Sequence, residues 1–405
     1  MKCMKPWFFL LLLISSPVLA AEVEVFSSPD SSYDTLQKFL DESQSIQIVS
    51  YTFSNPDILD LIISEKKEGK NITITLEQGP VGGADKEIIC ELLKNNIDVY
   101  LISTFKYHHE KYIITEDKIL ISTENLDVDS YPKNKQGNRG FGVIIDDQET
   151  RQELKKVYDE DFDNAKKATC TLNDYILERK PVEGKYVSNF DSKTYSNQEA
   201  ERIVVAPDAS KDVISFINSA QNSIFITEFY INDWSSRKNP FLEATINKSR
   251  SGIEVKVLLD SYWYNVGKEG ENDDIVKYVN SIAEEEKLNL RARLVDLKSL
   301  GYEKIHGKLI IVDNSSFLLS SINWNENSPT NNREIGVVVK GNSAQYFADI
   351  FDYDWNYKPQ ETPKQINTPS GQATENKSSN IVLIAIIILV IIITALLILF
   401  HFRKR

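Results

Sequence analysis

The sequence of 405 residues has few of the nitrogen and sulfur ligands from which metal sites are built. It contains four histidines and three cysteines, and no Cys/His spacing in it fits a zinc site. It also lacks runs of Lys and Arg interleaved with aromatic residues, which are typical of nucleic-acid binding. We therefore predict no metal and no cofactor, and nucleic acid is a disfavoured partner.

The N-terminus has the pattern of a secretory signal. Lys2 and Lys5 precede an apolar run, 7–14, and small residues follow as far as Ala21. An uncleaved anchor helix is the alternative, but the apolar run is short for one. We expect residues 1–21 to be a cleaved signal peptide.

The C-terminal end has the pattern of a membrane anchor. Residues 381–400 are all apolar or small, enough to span about 30 Å as a helix, and three basic residues, 403–405, end the chain. The preceding segment, 358–380, is rich in Pro, Thr, Ser, Gln and Asn, which is typical of a disordered tether. We expect a single transmembrane helix at 381–402, a cytoplasmic tail, and a catalytic part outside the cell membrane.

The charge is strongly acidic. The formal net charge is −13, and without the two ends 41 Lys and Arg face 59 Asp and Glu, a net charge of −18. Such a field repels polyanions at long range and weakens the electrostatic attraction on which nucleic-acid binding depends. A locally basic cleft is compatible with it, and the acidity can also be a solubility feature of an exported domain.

Two cysteines, Cys90 and Cys170, remain after signal removal. An oxidising exterior permits a disulfide between them. Cys90 also lies on the apolar face of a predicted helix, where a buried thiol is the alternative. The sequence leaves both possibilities open.

Two distant segments carry the same polar residues in the same order, and three of the four histidines fall in them. Each segment reads as a strand, a turn and a returning strand, and side chains alternate between the faces of a strand. Each therefore predicts a hairpin that presents an imidazole, an ammonium, a hydroxyl and an amide to one spot. The residues are His109, Lys111, Thr123 and Asn125 in the first segment, and His306, Lys308, Ser321 and Asn323 in the second.

These residues resemble the signature of the phospholipase D superfamily, H-x-K-x4-D followed by G-S-x-N. The second segment fits it with Ser320 in the usual Gly position, and 332–334 matches the supporting Asn-Arg-Glu of the family. The first segment is degraded, because Glu116 stands for Asp, 122–123 replaces Gly-Ser, and 138–140 (Asn-Arg-Gly) lacks the final acid. Two copies with matching flanks make the resemblance specific.

The duplication extends beyond these motifs. Ser-Pro-Asp at 28–30 and Ala-Pro-Asp at 206–208 each precede a predicted helix, and Asp-x-Asp-aromatic occurs at 159–162 and 352–355. Strands and helices alternate between these points, which predicts α/β layers with a largely parallel or mixed sheet.

We expect two similar α/β halves with mixed sheets, residues 22–168 and 201–357, joined by a polar linker at 169–200. The resemblance implies that the halves face each other about a pseudo-twofold axis. Because both motifs lie in one chain, we expect a monomer.

The resemblance also implies chemistry at a phosphodiester through a phosphohistidine, without a metal. One histidine attacks phosphorus, and the other protonates the leaving alcohol and then activates water. Lysines and asparagines hold the phosphoryl oxygens. The candidate catalytic residues are His109, Lys111, Asn125, His306, Lys308, Asn323 and Glu334, and the supporting residues are Glu116, Asp313, Thr123 and Ser321.

The two halves differ in their acids. In the family, the acid of the Asn-Arg-Glu segment supports the histidine of the opposite half, so Glu334 should orient His109. His306 faces Gly140 and should lack an acidic partner. We therefore expect His109 to be the nucleophile and His306 the acid, while His108 points to the other strand face and serves packing or support.

An aromatic run, 261–265, follows a predicted strand end, where α/β sheets place ligand-binding loops. It can line the substrate mouth, contact lipid headgroups, or simply pack as a loop.

The function expected from the sequence is an exported, membrane-anchored phosphodiesterase that hydrolyses or transfers phospholipid headgroups. An exported nuclease of the same superfamily is one alternative. A binding module that has lost turnover, as the degraded first motif would allow, is another.

Overall fold

The computed structural model of the chain describes residues 21–133, 135–177 and 186–357. The predicted signal peptide up to residue 20, the tether, the transmembrane helix and the basic tail lie outside these ranges. Within them, no helix is long and apolar enough to cross a membrane. The chain divides into two units, Met1–Lys358 and Pro359–Arg405, and the described residues belong to the first.

Strands and helices alternate along both halves of the chain, as the sequence predicts. The first half contains β1 (Ala21–Ser28), α1 (Ser32–Asp41), β2 (Ser45–Ser50), α2 (Pro56–Lys67), β3 (Asn71–Glu77), α3 (Lys86–Lys94), β4 (Asp98–Ile102), β5 (Lys111–Ile114), β6 (Ile119–Ser122), β7 (Gly140–Asp146), α4 (Gln148–Phe162) and β8 (Lys166–Lys167). The second half contains β9 (Lys193–Ala206), α5 (Ser210–Asn218), β10 (Ser223–Glu228), α6 (Pro240–Arg250), β11 (Glu254–Leu259), α7 (Asn272–Glu286), β12 (Leu290–Leu294), α8 (Leu297–Leu300), β13 (Lys308–Val312), β14 (Ser316–Ser320), α9 (Asn327–Asn331), β15 (Glu334–Lys340) and α10 (Ala344–Asn356).

Among the described residues, fifteen strands form one sheet in the order β12-β11-β10-β13-β14-β15-β9-β1-β7-β6-β5-β2-β3-β4-β8. The order on one side of the β9–β1 pair repeats that on the other. In each half three strands run parallel (β2, β3, β4; β10, β11, β12), and the hairpin strands join them antiparallel. The prediction of two similar α/β halves with mixed sheets is confirmed.

Matching helices of the two halves begin with the same local signal. The side chain of Asn55 accepts a hydrogen bond from the Asp57 N–H at 2.9 Å, and α2 starts with Pro56. Asn239 accepts from the Phe241 N–H at 3.0 Å in front of α6, which also starts with a proline. Asparagine caps the free N–H groups of a first turn, and proline has no N–H to leave free there.

The predicted linker, 169–200, is partly wrong. Its last residues, from Lys193 onward, belong to β9, which pairs with β15 on one side and with β1 on the other. Most side chains in 193–199 remain exposed or half-buried, which is why this polar part of the strand reads as a linker. Backbone pairing rather than apolar burial makes it a strand, and that pairing joins the two halves.

The interface between the halves is an apolar core with two ion pairs, one fully buried and one partly buried. Phe141 of the first half packs edge-on against Phe347 of the second, with ring centroids 5.6 Å apart. Each arginine of the Asn-Arg segments reaches an aspartate of the opposite half: Arg139 Nε donates to Asp354 at 3.0 Å, and Arg333 donates to Asp161 at 2.8 Å. These aspartates are the second acids of the two Asp-x-Asp repeats, so the repeats tie the halves to each other.

Cys90 in α3 and Cys170 after β8 form a disulfide, with Cα atoms 4.8 Å apart. Of the two possibilities that the sequence leaves open, the structure therefore has the disulfide.

Candidate active site

Each motif histidine lies two residues before a central strand, at a point where the backbones of the two halves meet. The His109 N–H donates to the carbonyl oxygen of Arg333 at 2.9 Å. In the same way, the His306 N–H donates to the carbonyl oxygen of Arg139 at 2.8 Å. The Asn-Arg segment of each half thus holds the histidine of the other half, and the two motifs come together at the interface.

His109 has the acidic partner that the sequence predicts. Its Nδ1 lies 2.8 Å from a carboxylate oxygen of Glu334, which is fully buried. The other oxygen of Glu334 accepts hydrogen bonds from Asn332 at 3.0 Å and from the Ser328 hydroxyl at 2.5 Å. The carboxylate is therefore fixed in place and in turn fixes the orientation of the imidazole.

His306 also has an acidic partner, so the expected asymmetry between the halves is wrong. Its Nδ1 lies 3.0 Å from a carboxylate oxygen of Glu124, the residue between Thr123 and Asn125. The amide of Asn138 donates to the other oxygen of Glu124 at 3.4 Å, as Asn332 does to Glu334. Both pairings cross the interface, since Glu124 belongs to the first half and His306 to the second.

Gly140 makes room for the Glu124 carboxylate. A Cβ atom at position 140 would overlap the carboxyl group and the Cγ of Glu124. Gly140 is the first residue of β7, as Glu334 is the first residue of β15. The acid that the first motif lacks at position 140 is therefore supplied by Glu124, which follows the neighbouring strand β6. The sequence carried a signal for this, namely an acid at 124 where the second motif has the apolar Ile322.

The two lysines are buried beside their histidines. The Lys308 ammonium donates to the carbonyl oxygen of His306 at 2.6 Å, and the Lys111 ammonium donates to that of His109. Burial is the main cause that lowers the pKa of Lys111 to about 7 and the pKa of Lys308 to about 8. The positive charge of Lys308 lowers the pKa of Lys111 further. A bound phosphoryl anion would compensate both charges.

Both imidazoles are biased to the neutral form. Burial lowers the pKa of His109, and nearby Lys111 and Lys308 add to this against the attraction of Glu334. Burial, followed by the charge of Lys308, lowers the pKa of His306 to about 3. A neutral imidazole that donates from Nδ1 to a carboxylate leaves Nε2 as a free base, which is the form a nucleophile or general base needs.

Both acids are ionised. Burial works against ionisation, but the electrostatic attraction and hydrogen bond of the His306 Nδ1–H and the charge of Lys308 outweigh it and lower the pKa of Glu124 to about 2. The corresponding contacts with His109 and Lys111 lower the pKa of Glu334.

The predicted amides and hydroxyls directly follow the returning strands β6 and β14. The amide oxygens of Asn125 and Asn323 are buried and have no hydrogen-bond partner among the described residues. The Thr123 hydroxyl donates to Glu124 at 3.2 Å and accepts from the Phe141 N–H, so it supports an acid rather than lining the site. The Ser321 hydroxyl accepts from the Ile335 N–H at 3.0 Å and donates to the carbonyl oxygen of the same residue at 3.3 Å.

Glu116 and Asp313 lie at the hairpin turns, as predicted, and hold the entry of the neighbouring strand. The Glu116 carboxylate accepts from the N–H groups of Gln44 and Ser45 at 2.7 and 3.0 Å. Asp313 accepts from three successive N–H groups, 221–223, at the start of β10. Because both carboxylates bind backbone N–H groups at the start of the neighbouring strand, Glu in place of Asp in the first motif preserves the hydrogen bonds of the turn.

Two aromatic residues of the site were not predicted. Tyr51 lies edge-on to His109 with centroids 4.7 Å apart, and Phe229 lies edge-on to His306 at 5.0 Å. They directly follow β2 and β10, at matching positions of the two halves. The duplicated strand sequences Ser45–Tyr51 and Ser223–Phe229 contained this signal.

An asymmetry remains beside the lysines. Glu228 pairs in register with Lys308, whereas Ser50 occupies the matching position opposite Lys111. Glu228 is buried, one of its oxygens has no partner among the described residues, and burial raises its pKa well above the ordinary value. The second half therefore has a further carboxyl group next to its lysine.

His108 lies in a polar cluster beneath the site. Potential metal-ligating atoms of His108, Glu110 and Asp161 lie within 4.8 Å of one another, and all three residues are buried. Both ring nitrogens of His108 already have partners, Glu110 at 2.9 Å and the Thr104 hydroxyl at 2.8 Å. This bonding fits a supporting role better than metal ligation.

Comparison with known proteins places this site in a family. Residues 36–164 and 213–355, more than half of the chain, match the family described as cardiolipin synthase, PLD-like domain. The DISARM protein DrmC of Bacillus paralicheniformis is 28% identical over 125 residues, which are 31% of this chain and 47% of that protein. The chain thus matches about half the length of this relative.

Solved structures share the fold. The phosphatidylserine synthase of Haemophilus influenzae Rd KW20 superposes with a TM-score of 0.58 at 14% identity, covering 80% of this chain and 84% of that one. Polyphosphate kinase from Porphyromonas gingivalis superposes with a TM-score of 0.50 at 11% identity, covering 83% of this chain and 50% of that one. With two matched segments, one fold and a duplicated histidine-lysine site, the chain belongs to the phospholipase D superfamily of phosphodiesterases and transferases.

Proposed function

We propose that the chain is a phosphodiesterase that cleaves phospholipids through a phosphohistidine intermediate, without a metal. The observation that carries the proposal is the pair of imidazoles, half-buried His109 and buried His306, each held through Nδ1 by a carboxylate of the other half. Each is accompanied by a buried lysine whose charge a phosphodiester would neutralise. A module that had lost turnover would not need both histidines oriented in this way.

The reaction proceeds in two steps. Nε2 of one imidazole attacks phosphorus, and the bond to the leaving oxygen breaks as the other imidazolium protonates that oxygen. The negative charge of the bound diester raises the pKa of both imidazoles, which allows one of them to carry this proton. The now neutral imidazole then takes a proton from water, whose oxygen displaces the histidine from phosphorus. An alcohol in place of water gives transfer instead of hydrolysis.

The roles of the two histidines are not distinguished by their acids. The expectation that His109 is the nucleophile rested on Glu334 having no counterpart, and Glu124 is that counterpart. A p-nitrophenyl phosphodiester has a good leaving group and needs little protonation. Acid quench of its reaction and mass spectrometry would locate the phosphoryl group on His109 or on His306.

A phospholipid is the substrate we propose. The chain without its signal-like N-terminus and its basic C-terminal tail has a net charge of −18, which disfavours a polyanionic ligand such as DNA. We also propose that the protein is exported and membrane-anchored. The signal-like residues 1–21 and the apolar run 381–400 support this, and the Cys90–Cys170 disulfide agrees with an oxidising compartment.

The test is to offer the purified full-length protein a short-chain phosphatidylcholine and single-stranded DNA in parallel, with EDTA present. We expect turnover of the lipid and none in His109→Ala or His306→Ala, since neither half can both attack and protonate. Faster cleavage of DNA than of lipid would favour a nuclease. Loss of activity in EDTA that a divalent cation restores would contradict the mechanism.

A further inference from the structure

Two exposed apolar side chains occupy matching loops of the two halves. Val81 is 74% exposed and follows β3, and Trp263 is 72% exposed and follows β11. β3 and β11 are the parallel neighbours of β2 and β10, which carry the aromatic residues packed on the histidines. Single exposed apolar residues are common, but two at equivalent places beside a site call for a function.

Both loops are connected to the histidine of their own half. The Val81 N–H donates to the Tyr51 hydroxyl at 2.6 Å, and the Tyr51 ring lies against His109. On the other side, a chain of ring contacts runs from Trp263 through Tyr264 (5.4 Å) and Phe229 (5.9 Å) to His306 (5.0 Å). Each exposed side chain therefore lies on a loop that contacts the aromatic residue packed against the histidine of its half.

The loop of Val81 is shaped to project this side chain. Gly82 and Gly83 follow it with φ of +92° and +88°, a backbone region that L side chains rarely adopt. The ring of Trp263 contacts those of Tyr262 and Tyr264, with centroids 6.0 and 5.4 Å away, and most of the side chain still lies in solvent. Tryptophan is the residue that favours the boundary between lipid and water, with its ring among the headgroups.

The charge beside the Val81 loop indicates which lipid surface would fit. A cavity of about 380 Å³ lies between this loop and Tyr51, and among the described residues its lining includes four carboxylates and no lysine or arginine. The acids are Glu77, Asp85, Glu87 and Asp127. Such a wall repels anionic headgroups and attracts the outward-facing ammonium of zwitterionic ones.

We propose that Val81 and Trp263 form a docking face that inserts into a zwitterionic lipid surface and places the site over its substrate. This deepens the proposed function and rests on it for the substrate. Insertion itself is independent of turnover, so the two can fail separately.

Insertion is measured with the full chain reconstituted in vesicles of phosphatidylcholine with brominated acyl chains, which quench tryptophan within the bilayer. We expect the emission of the wild type to be quenched and the Trp263-dependent part of the quenching to vanish in Trp263→Phe. The other tryptophans of the chain remain in both proteins and serve as the internal reference. Equal quenching of the two proteins would refute insertion, and stronger Trp263-dependent quenching by brominated anionic lipid would refute the charge argument.

Kinetics give the second readout. In Val81→Asp/Trp263→Asp, we expect hydrolysis of vesicle phosphatidylcholine to fall at least about tenfold, because burial of two apolar side chains is lost. Hydrolysis of soluble bis(p-nitrophenyl) phosphate should stay within about twofold of wild type, as neither side chain contacts the histidines. Ile176→Asp, at an 87% exposed position, is the matched control and should change neither rate.

Equal loss on both substrates, or wild-type rates on vesicles, would overturn the docking face. No turnover of either substrate by the wild type would instead overturn the proposed function, while the quenching result would still decide on insertion.

Discussion

Glu124 should be as necessary for turnover as a member of the family signature, although it occupies no position of that signature. Its carboxylate lies 3.0 Å from Nδ1 of His306, and both residues are buried. A hydrogen bond to a charged group contributes about 1.5–3 kcal/mol. Because 1.4 kcal/mol corresponds to a factor of ten, Glu124→Gln should lower kcat/KM about 10- to 150-fold.

The assay is hydrolysis of a short-chain phosphatidylcholine at a fixed pH, because its alcohol leaving group needs protonation and both histidines are therefore required. Glu110→Gln is the matched control, since Glu110 is equally buried and also pairs with a histidine, His108, at 2.9 Å. If Glu124 acted only through stability, both variants would lose activity together. We expect the loss in Glu124→Gln alone, and wild-type kcat/KM in this variant would refute the reasoning.

Gly140 provides a second and independent perturbation. A methyl group at this position would overlap the Glu124 carboxyl group, so Gly140→Ala should push Glu124 away from His306 and reproduce the loss. Moving the acid to the family position, in Glu124→Ala/Gly140→Glu, should recover activity relative to Glu124→Ala. A double variant no better than Glu124→Ala would show that the carboxylate cannot act from position 140.

Two further predictions concern charge. The lowered pKa values of Lys111 (about 7) and Lys308 (about 8) mean that these cations, which we propose bind the phosphoryl group, are charged at low pH and lose their protons as the pH rises. We therefore expect kcat/KM to fall as pH rises through about 7 to 8, and Lys111→Arg to move this limb to higher pH; a decline only above about pH 10 would contradict the assignment. Arg139→Met leaves Asp354 buried without its cation and should lower the free energy of unfolding by about 3–5 kcal/mol. The control Arg250→Met removes an exposed pair and should cause no measurable change in chemical denaturation.

The sequence predicted the parts of the fold that local patterns determine. The hairpins of both motifs, the alternation of strands and helices and the two-half arrangement follow from apolar periodicity and from duplication. The strand character of 193–199 could not be read from side chains, because these residues are polar and their partners lie in β1 and β15.

The candidate site shows the same limit. Glu334 could be paired with His109 because the family signature names the acid. The pairing of Glu124 with His306 joins residues 182 positions apart. It also requires that position 140 has no side chain, because the Glu124 carboxyl group fills that space. A local sequence pattern shows neither of these relations. The missing acid at position 140 indicates a degraded motif when the sequence is considered alone. The structure shows that Glu124, at the unrestricted position of G-S-x-N, takes the place of that acid.

This compensation follows from what the chemistry requires. An imidazole that is to act from Nε2 needs a hydrogen-bond acceptor at Nδ1, and a buried carboxylate is the acceptor that also stabilises the imidazolium formed during the reaction. The requirement is a carboxylate oxygen at about 3 Å, not a particular residue of the chain. Glu334 meets it from the start of β15 and Glu124 from two residues beyond β6, and each reaches across the interface to the histidine of the other half. In neither half is the histidine oriented by a carboxylate of the same half. Separation of the halves should therefore abolish turnover even if each half stayed folded.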